Sequence, residues 1–202
     1  MRRRTTPLGL GAVLIVLAWA GRASAQVRWD AELEQGVQRR VLASRAPGQE
    51  DAGFGPTFDV SGHLALVPLA RVGLYLHYDG SPVSSADTRD LVSGGLDGRL
   101  GFPLGVDLRG YLRIALGAAS TFAAAHAAAG ANERGFVSAT QGYFGEVPLA
   151  LGLIYRVSRG LALTGEVATR IGFGFSGPAY GAGGSGEDVL AVGFDLGVAW
   201  GR

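Results

Sequence analysis

Apolar residues alternate with small or polar residues along most of the chain after residue 26. The segment 190–200 shows this pattern most clearly, because every even position from Leu190 to Trp200 is apolar, whereas the odd positions carry Ala, Gly and Asp195. Side chains of a β-strand point alternately to the two faces of a sheet, and a helix would mix these two sets of residues. The alternation therefore predicts strands with one apolar face and one polar face.

Eight blocks of this kind follow one another, and the connections between them alternate in length. Long polar or Gly-rich segments cover 43–55, 79–90, 119–141 and 175–188, whereas short turns lie at 68–70, 103–105 and 158–160. Gly105 and Gly160 stand third in their turns, where a three-residue hairpin loop uses a left-handed residue. Four long loops at one end and three tight turns at the other predict an antiparallel up-and-down meander.

The first block, which begins at Trp29, fits the alternation least well. Glu32, Glu34 and other polar residues follow the pattern, but Gln35 and Arg39 fall on the apolar face. A β-bulge, which shifts the alternation by one residue, is one explanation.

A sheet with two unlike faces can be a soluble sandwich or lipocalin-like barrel, or an outer-membrane barrel whose apolar face contacts lipid. Ten residues at about 3.3 Å each, tilted by ~40°, span about 25 Å, the height of a lipid-facing band. Aromatic residues also lie near both ends of the apolar faces, as membrane girdles do. They are Trp29, Phe102, Tyr155 and Trp200 on the turn side and Phe58, Tyr78, Tyr143 and Phe173 on the loop side. We therefore predict an all-β fold, an eight-stranded antiparallel up-and-down transmembrane β-barrel.

The first 25 residues have the composition of an export signal. Arg2, Arg3 and Arg4 precede an apolar stretch over 7–21, and Ala23-Ser24-Ala25 has the small residues of a cleavage site. We expect cleavage before Gln26, which leaves a barrel domain over 26–202. The whole chain has a net charge of +1, but the signal takes four Arg with it. The remaining 14 Arg face 17 Asp and Glu, a net charge of −3, which argues against a nucleic-acid partner.

The eight amphipathic blocks, the unequal connections and the final block 189–200 resemble the small eight-stranded outer-membrane barrels of the outer-membrane-protein-A type, over residues 27–202. In such families the last strand commonly ends in an aromatic residue that the barrel-insertion machinery reads, and Trp200 stands near that position. The resemblance implies residence in the bacterial outer membrane as a monomer. It also implies contact with outer-membrane lipid and lipopolysaccharide, and with the insertion machinery during biogenesis.

The polar faces carry charges of both signs that would point into the lumen. The candidates are Glu32, Glu34, Arg40, Asp97, Arg99, Asp107, Arg109, Arg113, Glu146, Arg156, Glu166, Arg170 and Asp195. Buried charges persist when they are paired, so we expect a near-balanced network that plugs the lumen and fixes the strand register. Pairing of Phe102 with Val106 would place Asp97 opposite Tyr111 and diagonal to Arg109 and Arg113. Pairing of Val157 with Leu161 would place Glu166 opposite Gly152, beside space for a further side chain.

His63, His77 and Asp59 also fall on the predicted lumen faces, with the two histidines opposite or diagonal to each other. Two imidazoles and a carboxylate could bind a metal ion, but histidines in such places are more often hydrogen-bonded fillers. We expect no metal here and no cofactor elsewhere, because no metalloprotease, nucleophile-elbow or dinucleotide motif stands in a suitable context.

Three functions remain open from the sequence. The leading hypothesis is a non-enzymatic barrel with a side-chain-filled lumen and four extracellular loops, in a structural or surface-recognition role with an unknown ligand. The second is a small passive channel, in which an Arg–Glu pair exchanges partners. The third is an enzyme that modifies lipid A, which would need a Ser or His with an acid near the loop-side rim.

Overall fold

The eight amphipathic blocks form eight β-strands in a computed structural model, which describes residues 28–42, 53–82, 88–123, 141–176 and 189–201. The strands are β1 (Trp29–Leu42), β2 (Phe54–Val67), β3 (Ala70–Pro82), β4 (Thr88–Pro103), β5 (Leu108–Ala123), β6 (Gln141–Arg156), β7 (Leu161–Ser176) and β8 (Val189–Gly201). Every strand is antiparallel to its neighbours in sequence, and β1 pairs with β8 from Asp30–Gly201 to Leu42–Val189. The sheet is therefore a closed barrel with no free edge. No helix among the described residues is long and apolar enough to cross a membrane.

The predicted signal sequence over 1–25 lies outside the described residues, as do 83–87 of the predicted loop 79–90 and most of the other three predicted loops. Within the described part, the strands reach further towards the loop side than the sequence indicated. β3 continues to Pro82 and β5 to Ala123, so parts of the predicted loops 79–90 and 119–141 are strand. Backbone pairing continues there, as in the Ser81–Arg89 and Thr121–Gly142 pairs, although the regular apolar alternation fades.

The alternation in the sequence matches which side chains point into the barrel and which point outward. In β2 the side chains switch between exposed and buried at almost every residue, with Phe58 and Val60 outside and Asp59 and Ser61 inside. The exposed set is mainly aliphatic and aromatic, and the buried set is mainly charged, polar or small. This barrel therefore has an apolar outer wall and a polar interior, the reverse of a soluble protein.

The poor alternation in β1 does not come from a bulge. The register of β1 against β2 runs without a shift from Trp29–Leu64 to Arg39–Phe54, and Gln35 and Arg39 are exposed on the outer face. The bulge hypothesis for this strand is therefore wrong. Shifts in register occur in β2/β3 between Ala65 and Val67 and in β6/β7 between Tyr143 and Gly145.

The turn-side hairpins also differ from the prediction. Gly174, in β7 beside the register shift, is the only glycine with a positive φ (66°) among the described residues, so Gly105 and Gly160 do not supply left-handed turns. The β4/β5 connection has four residues, 104–107, in which the N–H groups of Leu104 and Gly105 both donate to the Leu108 carbonyl. Phe102 pairs with Gly110 instead of Val106. A Cβ at Gly110 would lie 2.2 Å from the Phe102 ring, so the absent side chain makes room for it.

Candidate functional site: the charged lumen

Arg170 on β7 lies at the centre of the lumen and connects opposite walls of the barrel. Its guanidinium is 3.0 Å from Asp59 on β2 and 3.2 Å from Glu146 on β6. β2 and β7 are three strands apart around the barrel. A side chain that joins them must cross the interior. All three residues are almost completely buried, so the ion pairs are shielded from solvent.

Arg113 on β5 forms a second crossing of the lumen. Its Nε lies 2.8 Å from Asp97 on β4, and its Nη1 lies 2.7 Å from Glu166 on β7. The ring of Tyr75 lies beside both cations, with its centroid 5.3 Å from the Arg113 guanidinium and 5.9 Å from that of Arg170. An aromatic face attracts a desolvated cation, so Tyr75 contributes to the same cluster.

Two further clusters lie nearer the two ends of the barrel. On the loop side, Arg40 and Gln38 of β1 both donate to Asp79 of β3 across the intervening β2. On the turn side, Arg99 of β4 bonds Glu32 of β1, three strands away around the barrel. Polar side chains therefore cross the lumen at several heights.

The structure divides the thirteen predicted lumen charges into two groups. Buried in the lumen are Glu32, Glu34, Arg40, Asp97, Arg99, Arg113, Glu146, Glu166, Arg170 and Asp195. Asp107, Arg109 and Arg156 are exposed at the turn-side mouth. The strands end there: Asp107 precedes β5, Arg109 is its second residue and Arg156 is the last residue of β6.

The residue opposite Asp97 differs from the prediction, whereas the residue opposite Glu166 agrees with it. Because Phe102 pairs with Gly110, Asp97 lies opposite Ala115 and not opposite Tyr111. It contacts Arg113 as expected. Glu166 does lie opposite Gly152, and the space beside that glycine holds Tyr111, whose hydroxyl donates to Glu166 Oε2 at 2.9 Å.

Asp79 is a member of the network that the sequence reasoning missed. The predicted loop 79–90 includes it, although it continues the two-residue spacing of Tyr75 and His77 on the inner face of β3. With Asp59 and Asp79 included, eight buried carboxylates face four buried arginines and two histidines among the described residues. The near balance expected from the sequence is therefore not found. Arg109, Arg156 and Asp107 lie outside the buried set, whereas Asp59 and Asp79 join it.

His63 and His77 both point inward but lie apart. His77 is directly opposite Asp59 and its Nδ1 is 2.6 Å from the Asp59 carboxylate, whereas His63 is opposite Gly73. The ring nitrogens of His63 face Asp30 at 2.9 Å and Asp97 at 3.2 Å. Within the described residues no group of three or more His, Cys, Asp or Glu side chains could hold a metal ion. The candidate set of His63, His77 and Asp59 is thus not assembled, and each histidine contacts carboxylates of its own.

The eight predicted girdle residues all lie exposed on the outer wall. Their exposed fractions range from 36% for Phe102 to 53% for Tyr155. Aromatic side chains prefer the boundary between the hydrocarbon and the headgroups, where an apolar ring meets water. The outer wall thus has an apolar band with aromatic residues towards its two ends, the arrangement of a membrane barrel.

The closed eight-stranded barrel, its apolar outer wall and its polar, side-chain-crossed interior define the class of the protein, an integral outer-membrane β-barrel. The predicted fold and the resemblance to small outer-membrane barrels are confirmed by comparison with solved structures. Neisserial surface protein A matches with a TM-score of 0.65 at 10% identity, over 85% of this chain and 96% of that one.

Two other outer-membrane proteins show the same likeness. Ail, the attachment invasion locus protein of Yersinia pestis, has a TM-score of 0.52 at 9% identity and covers 88% of this chain and 100% of its own. A major outer membrane protein from Thermus thermophilus has a TM-score of 0.50 at 17% identity, with the same two coverages. At these identities the likeness shows the fold alone. No family model matches the sequence, and a search of curated proteins found no match either.

Proposed function

We propose that this protein is a non-conducting, non-enzymatic barrel of the bacterial outer membrane that holds four loops at the cell surface for a structural or recognition role. The observation that carries this proposal is the set of ion pairs between strands that are not neighbours. Arg170–Asp59 and Arg99–Glu32 each join strands three apart, and Arg113–Glu166 joins strands two apart. These side chains occupy the path that an ion would take through the lumen.

The burial of these groups supports a closed interior. Arg40, Arg170, Glu146 and His77 are each no more than 1% exposed. An eight-stranded barrel is only just wide enough to be filled by its own side chains. The paired charges therefore work as a plug, and they also fix which strand lies beside which.

The arrangement of the histidines argues against catalysis. A hydrolase of the lipid-A-modifying kind would need a Ser or His near the loop-side rim with a supporting acid. His63 and His77 lie inside the barrel against carboxylates, and no serine hydroxyl among the described residues is hydrogen-bonded to either ring. The described contacts of both rings are therefore with carboxylates.

The connections on the two sides differ in length. The segments between strands are 43–53, 83–87, 124–140 and 177–188 on one side, and 68–69, 104–107 and 157–160 on the other. Outer-membrane barrels keep their short turns in the periplasm and their longer loops outside the cell. We therefore assign recognition to the longer connections, with a surface ligand as the partner and lipopolysaccharide as the surrounding lipid.

Single-channel recording of the refolded protein in planar bilayers tests the closed lumen. The wild type is expected to show no steady conductance, whereas a general porin in the same bilayer opens to a stable level. A steady open level of the wild type would replace this proposal with the passive channel. Expression in cells with a defined lipid A tests the enzyme alternative, and an unchanged lipid A mass profile is the expected result.

A further inference from the structure

A cavity of about 540 Å³ opens at the turn-side mouth of the barrel, apart from the ion pairs in the middle of the lumen. Its volume is in the usual range for a small-ligand site. Five arginines line it: Arg28, Arg71, Arg109, Arg156 and Arg159. They come from the residue before β1, from β3, β5 and β6, and from the β6/β7 turn, so the fold brings together cations that are far apart in sequence.

Three carboxylates also line the cavity, but two of them are occupied. Glu32 is bonded to Arg99, and Asp30 contacts both Arg71 and His63. Asp107 lies in the β4/β5 turn and remains as the one carboxylate of the lining that has no ion pair among the described residues. The mouth therefore has a surplus of positive charge.

Four of the five arginines have no carboxylate partner in the described part of the chain. These are Arg28, Arg109, Arg156 and Arg159. Arg71 is also directly opposite Arg99 in the β3/β4 ladder, and its charge is opposed by those of Arg109, Arg99 and Arg28. Like charges placed opposite each other in a sheet are destabilising, so an anion in this cavity would relieve the repulsion.

The edge of the cavity is apolar and lies at the level of the membrane boundary. Trp29 and Trp200, which belong to the turn-side girdle, line it together with the exposed Val106 and Leu161. Tryptophan at this level lies among the lipid headgroups. Short turns of outer-membrane barrels face the periplasm, where the inner leaflet consists of phospholipid. A molecule that fits both the arginines and the apolar edge has an anionic head and an apolar tail.

We propose that the turn-side mouth binds the phosphate of an anionic phospholipid headgroup from the inner leaflet. Arginine donates several hydrogen bonds in a fixed plane to phosphate oxygens, and the tryptophans contact the glycerol and upper acyl region. This site lies on the opposite side of the barrel from the proposed recognition loops and does not depend on their function.

The experiment uses the refolded barrel in zwitterionic detergent, with tryptophan fluorescence as a local reporter. Trp29 and Trp200 line the cavity, and the third tryptophan, Trp19, lies in the predicted signal sequence. Short-chain phosphatidylglycerol, short-chain phosphatidylcholine and inorganic phosphate are titrated separately. We expect a saturable change with phosphatidylglycerol at a concentration at least about tenfold lower than with either other probe.

Arginine variants test whether these side chains are responsible for phosphatidylglycerol binding. The triple variant R109Q/R156Q/R159Q should weaken phosphatidylglycerol binding by roughly fivefold for each arginine removed. R109K/R156K/R159K keeps the charge but loses the planar set of donors, so its affinity should lie between those of the wild type and the glutamine variant. R39Q removes an arginine from the outer wall near the loop side and should leave binding unchanged. Unaltered heat-modifiable migration in gels shows that each variant is folded.

Each other outcome decides against part or all of the proposal. Inorganic phosphate that binds as tightly as phosphatidylglycerol, with the same loss in the triple variant, would overturn the lipid as the source and keep the phosphate site. Equal binding of phosphatidylcholine and phosphatidylglycerol would overturn charge recognition. Binding that persists in the triple glutamine variant, or no saturable change with any probe, would overturn the site.

Discussion

Tyr111 occupies the space beside Gly152. The two residues are directly opposite each other in the β5/β6 ladder, and a Cβ at position 152 would lie 2.1 Å from Tyr111 Cζ. The phenol reaches past the glycine to Glu166, which is opposite Gly152 on the other side. The Arg99 guanidinium covers the same ring at 4.7 Å from its centroid. One missing side chain thus allows an aromatic ring, a carboxylate and a cation to pack together in the lumen.

Replacement of Gly152 by Ala should displace Tyr111 and destabilise the barrel by about 1–3 kcal/mol, because the overpacked ring must move away from Glu166. G62A is the matched control, since Gly62 is exposed on the outer wall and its added Cβ would meet only the Asp30 carbonyl at 3.9 Å. Urea unfolding in phosphatidylcholine vesicles measures both free energies of unfolding. Equal stabilities of the two variants would contradict the tight Tyr111–Gly152 packing.

Replacement of Arg170 by Met should cost about 3–5 kcal/mol of unfolding free energy, because Asp59 and Glu146 then remain buried with fewer cationic partners. Adding D59N to R170M should recover part of this loss. A double-mutant cycle on the same unfolding assay gives the coupling between Arg170 and Asp59. R156M, at the exposed mouth, should change stability by no more than about 0.5 kcal/mol. Additive effects of R170M and D59N would show that the lumen pair is not coupled.

Leu74 tests whether the outer wall contacts lipid. It lies near the middle of β3, 64% exposed on the outer face. L74R should destabilise the folded protein in vesicles by about 2–4 kcal/mol if this position lies near the bilayer midplane. In a soluble barrel the same exposed substitution would be nearly neutral. L104R, in the β4/β5 turn, is the control and should be tolerated; an equally small effect at both positions would argue against a lipid-facing wall.

Gly174 is expected to resist substitution for a backbone reason. Its φ of 66° is in the left-handed region, although nothing lies within 4 Å of an added Cβ. G174A should therefore lose about 1 kcal/mol through backbone strain. G105A also has open space but no positive φ, so it should be neutral or slightly stabilising. The two variants are compared by the temperature at which the folded band is lost in gels. An unchanged temperature for G174A would contradict backbone strain at this position.

Several features of the fold could be predicted from residue spacing. The two-residue alternation identified which residues face outward, including all eight girdle aromatics, and which charges of the strand interiors face inward. It worked because successive side chains of a strand must point to opposite faces. The loss of regular alternation near the loop side explains why the spacing predicts a loop at Asp79, since Asp79 lies where pairing continues without a clear apolar pattern.

The sequence by itself determined a chain of strands with one apolar and one polar face, because the hydrophobic period and the length of each strand are local properties. The tertiary structure alone decided which charges meet. Arg170 and Asp59 are 111 residues apart and come together only because the closed sheet places β7 and β2 across a narrow lumen. The strand register also depends on packing between strands, such as that of the Phe102 ring against Gly110. In this register Asp97 lies opposite Ala115 and not opposite Tyr111. Arg109 and Arg156 lie at the mouth of the barrel because they stand at the ends of β5 and β6.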